Sequence, residues 1–280
     1  MSDIETVPPT SRETDSGARR RGRSKSPQSQ WLSAVLAPTL VLVGALVFWE
    51  GAVRLGVANP VIIPPPSEVV VRLVELAGKG FFWQATATTM TETLLGFLIG
   101  SVVAWALGTW VGMVDLARKA LYPLLVAVQI MPRVALAPVF LTWFGFGITS
   151  KIVMAATICF FPVFINVVVG LETVDRDART LMRSLGATRM QTYRMLSLPS
   201  SMPLLFAGLK TAMTLALIGA IVAEFVGASH GMGVLISTFN FQLDVASAFA
   251  VIVALMLAGL ALYTVVDVVD RRLIHWRSHS

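Results

Sequence analysis

Apolar residues run along the chain in six long stretches, about 31–50, 86–113, 120–143, 152–171, 203–226 and 246–268, and the charged residues collect between them. A helix needs about twenty such residues to cross a bilayer. The pattern therefore predicts an all-α integral membrane protein of six transmembrane helices, occupying residues 31–275, with both ends on the same face. Composition agrees, with 55% hydrophobic and 14% charged residues, where soluble domains carry about 25% charge.

The charge that remains sets the orientation. Residues 1–30 are rich in Ser, Pro and Arg and poor in apolar groups, so they are predicted to form a disordered basic tail. Arg19-Arg20-Arg21 suggests a twin-arginine export signal. However, the apolar stretch after it starts only at Trp31, is too long for a signal core and ends without a small-residue cleavage site. It reads as an uncleaved first span. Counting outward from the six spans, 17 of the 22 Lys and Arg fall on the face of the termini and of segment 172–202. Four (Arg54, Arg72, Lys79, Lys151) fall on the other face, and Arg133 is left inside a span. Positive residues mark the cytoplasmic side, which places both termini and segment 172–202 in the cytoplasm. The net charge of +6 is thereby an orientation signal, and no nucleic-acid partner is expected.

Two spans carry small residues at every fourth position: Gly96, Gly100, Ala104, Gly108 and Gly112 in one, Gly208, Ala212, Ala216 and Ala220 in another. Such stripes let helix backbones approach closely, so they are expected to pack helices, and they are candidates to line a path or an interface. On the outer face, residues 64–80 are too short and too charged to span. Val70, Leu73, Val74 and Ala77 share a helical face, with Ser67 as expected N-cap and Gly78 as stop. This predicts a surface-lying amphipathic helix.

The chain lacks a phosphate-binding G-x-x-x-x-G-K-[ST] loop, a His-Glu-x-x-His pair and a G-x-S-x-G elbow. Its one cysteine, Cys159, sits in an apolar run, and His230, His275 and His279 are scattered over both faces. No catalytic residue, metal site or cofactor is expected, and the chain is not read as an enzyme. Three readings stay open: a transporter driven by a separate ATPase, a gradient-driven carrier, or a membrane anchor for a cytoplasmic partner.

Segment 172–202 speaks for a docking role. Ala178, Leu181, Met182 and Leu185 form an apolar ridge, and Asp175, Arg176, Arg179 and Arg183 cover the remaining faces. Gly186 permits a sharp turn. A second short helix is expected from about Thr188 to Leu196, ended by Pro199, with Pro203 in the first turn of the fifth span. Within the bilayer, Glu92 and Arg133 fall at similar depth, about 10 Å below the outer surface at 1.5 Å per residue. A charge there costs a few kcal/mol unless paired or hydrated. The two are expected to pair, with Glu224 nearby, either as a packing ion pair or as part of a path offering positive potential to an anion.

Gly186, then Leu196 ten positions on, then Leu198-Pro199 resembles the EAA-loop signature of binding-protein-dependent ABC importer permeases, although Thr180-Leu181-Met182 stands where Glu-Ala-Ala would. The order IIPPPSEVV, TETLLGFLIGSVVAWALGTWVGM, MPRVALAPVFLTWFGFGITSK, FFPVFINVVVGL and AEFVGASHGMGVLI is similar to the nitrate/sulfonate/taurine branch of that family, over roughly residues 58–270. The resemblance implies the MetI-like type I importer fold. It implies a second copy of the permease and two cytoplasmic ABC ATPase subunits that bind ATP and Mg. It also implies a periplasmic or lipid-anchored binding protein that delivers a small solute: a sulfonate or other organic anion, a nitrate-like anion, a pyrimidine precursor or an aromatic acid. Segment 172–202 would then be the coupling loop, acting through Leu181, Met182, Leu185, Gly186, Ala187, Leu196, Leu198 and Pro199.

Overall fold

A computed structural model describes residues 27–57 and 59–274. The expected tail lies outside these residues except for Pro27–Gln30, which already belong to the first helix. Among the described residues every regular element is helical. In order these are α1 (Pro27–Arg54), α2 (Pro66–Ala77), α3 (Gly80–Met113), α4 (Asp115–Gln129), α5 (Ala137–Phe144), α6 (Ile148–Glu172), α7 (Arg176–Ser184), α8 (Arg189–Thr192), α9 (Leu198–Gly227), α10 (Met232–Phe241) and α11 (Val245–Leu273). The chain divides into two compact units, up to Phe48 and from Trp49. The first contributes most of α1, and the second holds everything that follows.

In the second unit α6 is the central helix, lying between α3 and α9. Both neighbours present small residues to it. A Cβ on Gly96 would collide with Ala155 of α6, one on Gly100 would lie 2.5 Å from Cys159 Sγ and 2.6 Å from the Ala156 carbonyl, and one on Gly108 3.0 Å from Val167. From the other side Gly208 meets Asn166 and the Pro162 carbonyl, while Ala212, Ala216 and Ala220 are fully buried. Cys159 is therefore a packing residue in this seam. Lipid tails are as apolar as Leu, so helices in a bilayer associate by close packing. Small side chains bring these backbones within reach of each other. Helices α3, α6, α9 and α11 are each long and apolar enough to cross a membrane.

The third stretch is not one helix. The expected span 120–143 is broken: α4 starts earlier, at Asp115, and ends at Gln129, and a 3₁₀ turn over Arg133–Leu136 leads into the short α5. Pro132 explains the break, because it has no N–H to donate and it drives Met131 out of the α region. The Ile130 and Met131 amides turn back to the Ala127 and Val128 carbonyls, both at 3.2 Å, closing the helix end.

Two further expectations change. Helix α2 begins at Pro66, and Ser67 does not cap it; Glu50, at the end of α1, accepts the Ser67 amide (3.0 Å) and hydroxyl (2.8 Å), capping the helix from outside. Its buried face is Val69 and Leu76, packed toward α11, whereas Val70 and Val74 are exposed. Periodicity located the helix, but both stripes are apolar, and the neighbouring helix selected between them.

The seam predicts that Gly100→Val lowers the stability of the detergent-solubilised protein by about 1–3 kcal/mol, the usual cost of overpacking. Gly80→Ala, on the same helix with nothing within 4 Å of its added Cβ, should leave the thermal unfolding midpoint within error. Equal midpoints for the two variants would refute the seam.

Candidate functional site

At the cytoplasmic ends of α6 and α9 the chain builds a projecting knob. Asp175 caps α7 by accepting the Asp177 amide at 2.9 Å. The helix then ends where Gly186 takes φ +77°. The Gly186 amide donates to the Arg183 carbonyl (2.9 Å) and the Ala187 amide to the Met182 carbonyl (3.0 Å), the paired bonds of a left-handed helix stop. Thr188 and Gln191 then form a reciprocal capping box that starts α8. Leu181 and Leu185 protrude, 60% and 74% exposed, with Met190 and Met195 exposed beyond the turn. Met182, Ala187 and Leu196 are half-buried, and Leu198 and Pro199 form the root of the knob, Leu198 packing on the central core beside Tyr193.

The expected stop at Pro199 is absent, and Pro203, expected in the first turn of the fifth span, lies inside α9 instead. From Arg189 the helix runs on to Gly227 through a wide π turn at Tyr193–Ser197, where the Leu198 amide reaches back to the Tyr193 carbonyl. The extra residue in that turn makes room for Pro199 in the first turn of α9. The knob is thus a direct extension of a membrane helix.

At the outer end of the same helices lies a buried polar cluster. Glu224 of α9, 2% exposed, accepts the Thr89 hydroxyl of α3 at 2.5 Å and the Gly233 amide of α10 at 2.6 Å. Thr89 in turn accepts the Met232 amide at 2.9 Å. Gly231, at φ +129°, passes so close to the Glu224 carboxylate that a Cβ there has no space. The N-terminus of α10 is thereby fastened to α3 and α9 through one carboxylate. Glu92, also 2% exposed, lies beside Glu224, and its Oε2 is buried without a hydrogen-bond partner.

Lys151, at the outer start of α6, is 2% exposed, and its ammonium donates to three carbonyls: Phe146 (2.5 Å), Gly147 (3.0 Å) and Gly227 (2.8 Å). All three of its donors are used, so it ties the start of α6 to the segment after α5 and to the last residue of α9.

The expected Glu92–Arg133 pair does not form: among the described residues no ion pair joins them. Arg133 stands at the break of the third stretch, just past the end of α4, whose 15 residues span about 22 Å at 1.5 Å per residue. Its guanidinium lies 4.5 Å from the Phe161 ring centre and donates to the Ile158 carbonyl at 3.2 Å. Unwinding after Gln129 carried it away from the position that a continuous helix would have given. A further charged group, Lys210 with Asp267 and Asp270 at 2.6 Å each, joins α9 to α11 near the cytoplasmic side. Sequence reading missed this triad, although the i, i+3 spacing of the two aspartates, opposite a lone lysine in a span, was its available signal.

No side-chain set among the described residues forms a metal-ligand cluster. The chemistry on offer is mechanical: an apolar knob outside the bilayer and a locked polar cluster at the far end of the same helices. Comparison with known proteins agrees. Residues 96–275 match the family described as the binding-protein-dependent transport system inner membrane component. The riboflavin transport system permease of Chloroflexus aurantiacus is 35% identical, over 89% of this chain and 92% of that protein. The formylaminopyrimidine transport permease of Halalkalibacterium halodurans is 34% identical, over 86% and 96%. The taurine transport system permease of Escherichia coli is 26% identical, over 92% and 94%. A solved structure of the MetNI methionine ABC transporter shares the fold, with a TM-score of 0.61 over 69% of this chain and 95% of that one, at 18% identity. The chain belongs to the binding-protein-dependent transport system inner membrane components: it is a multi-pass ABC transporter permease of the bacterial inner membrane, a transport subunit and not an enzyme.

Proposed function

We propose that this chain is the membrane path of an ATP-driven importer, and that the knob at Asp175–Ser197 is its joint to a separate ATPase. One observation carries the reading: exposed Leu181 and Leu185 sit on a rigid, doubly capped turn that is continuous with α9. A push on such a knob is delivered along the helix to Glu224, where α3, α9 and α10 are fastened together. ATP and Mg bind on the partner chains, and a binding protein outside supplies the cargo. Because one chain offers one knob and an ATPase pair needs two, a symmetric homodimer of permeases is the simplest assembly.

For the cargo, the relatives at 34–35% identity bear the names of riboflavin and formylaminopyrimidine, and that at 26% bears the name of taurine. The first two compounds share a pyrimidine ring. We infer that the cargo is a small pyrimidine-bearing heterocycle. The second reading, an organic anion such as a sulfonate, rests on Arg133, a cation held at the break of a membrane helix, with Glu92 and Glu224 on the same outer side.

Three outcomes test these readings. Gly186→Val forces a β-branched residue into a left-handed backbone, a strain of about 1–3 kcal/mol, so uptake into vesicles should fall by more than tenfold while membrane insertion is retained. Unchanged uptake by an assembled complex refutes the joint. Mass measurement of the solubilised complex should return two copies of this chain, whereas one copy beside a different permease refutes the homodimer. Finally, Arg133→Gln should leave uptake of a neutral heterocycle within about twofold of wild type. A tenfold loss with unchanged ATP hydrolysis would instead favour the anion.

A further inference from the structure

Below the knob, on its membrane side, the chain forms a cleft of about 360 Å³ between the cytoplasmic ends of α3 and α6 and the coupling segment. Its floor is Gly112 and Leu171, the last turns of two membrane helices. Its walls carry Arg179, Arg183 and Arg189, with the hydroxyl-bearing Thr192, Tyr193 and Ser197 between them. Three guanidinium groups around one small space repel each other, yet among the described residues no carboxylate pairs with any of them. Arg179 gives one N–H to the Leu171 carbonyl and leaves its Nε buried without an acceptor. A cleft so charged and so short of counter-charge is built for an anion.

Two observations identify the anion's source. Arg179 and Arg183 lie four residues apart on one row of α7, and Leu181 and Leu185 lie two residues further on, about 200° around the helix. The basic row therefore faces the cleft, and the apolar row faces away from it. Deeper in the bilayer, between α3, α4 and α6, runs a second groove of about 220 Å³ with an apolar lining that includes Leu107, Val111, Leu121, Leu124, Phe160 and Phe164. Val111 adjoins Gly112 in the chain, and Phe164 lies two turns before Leu171. A basic cleft roomy enough for a phosphate headgroup, with an apolar groove beside it, matches an amphiphile.

We propose that this cleft binds the phosphate headgroup of an anionic phospholipid from the cytoplasmic leaflet, with an acyl chain along the apolar groove. Basic pockets between membrane helices on the cytoplasmic side recognise such headgroups, and arginine suits phosphate through its forked donors. The lipid supplies the missing counter-charge and wedges the base of the knob against α3 and α6. The inference depends on the membrane placement of the chain and not on its cargo or on ATP-driven import.

The test uses the complete complex with its ATPase, stripped in neutral detergent. It is then titrated with phosphatidylglycerol, with phosphatidylcholine, and with inorganic phosphate at matched concentration. Native mass spectrometry counts retained lipid, and thermal unfolding reports stabilisation. Phosphatidylglycerol should be retained and should raise the midpoint, whereas phosphatidylcholine and inorganic phosphate should not. Each of Arg179→Gln, Arg183→Gln and Arg189→Gln should weaken phosphatidylglycerol binding about fivefold. Arg272→Gln, a basic residue outside the cleft, should not. Equal retention of phosphatidylcholine overturns the proposal, as does equal stabilisation by inorganic phosphate. A complex of Arg183→Gln that loses its ATPase yet keeps its lipid assigns the cleft to the partner chain and also overturns it. Should an arginine variant fail to assemble, the comparison of the three ligands on the unsubstituted complex still decides.

Discussion

The structure depends on how closely α6 lies against α3 and α9. There is no hydrophobic drive between helices in a bilayer, so these three are held by van der Waals contact along seams of Gly and Ala. Gly96 and Gly100 leave no room for a methyl group on one side, and Gly208 leaves none on the other. Contact at backbone distance makes the three helices a single stiff body. Stiffness matters for the proposed function, in which a motion applied at the knob is carried to the outer end.

What the stiff body carries is placed at its two ends. At the cytoplasmic end, α6 and α9 enclose the knob, whose left-handed Gly186 and two capped short helices keep Leu181 and Leu185 exposed. At the outer end, Glu224 and Lys151 satisfy backbone groups that hydrocarbon would otherwise leave bare: the Gly233 amide of α10 for Glu224, and carbonyls after α5 and at the end of α9 for Lys151. An unmet polar group in that setting costs several kcal/mol, so irregular backbone is admitted there only because these side chains complete it. The broken third stretch follows the same rule. Its freed backbone lies beside Arg133, which is itself anchored on the Ile158 carbonyl and the Phe161 ring.

Much of this was legible in the sequence. Stretches long enough to cross a bilayer, the bias of basic residues to one side, the small-residue stripes and the glycine turn of the knob are all local properties: each depends on residue type at fixed spacing along one helix. The departures arose where two elements had to be compared. Proline positions were readable, but Pro132 broke a helix while Pro199 and Pro203 did not. For Pro199 the difference is the π turn just before it, which places the ring in the first turn of α9.

By itself, then, the sequence determined that this is a multi-helix membrane protein with a structured cytoplasmic knob, because hydropathy and helical period act within a single segment. Only the tertiary structure decided which charges meet. Glu92 lies beside Glu224 and not Arg133, Lys151 turns inward to cap carbonyls, and α2 buries Val69 rather than Val70. The physical reason is common to all three. A side chain's partner is fixed by the rotation and depth of two helices relative to each other, and a single break, such as that at Pro132, resets both for every residue beyond it.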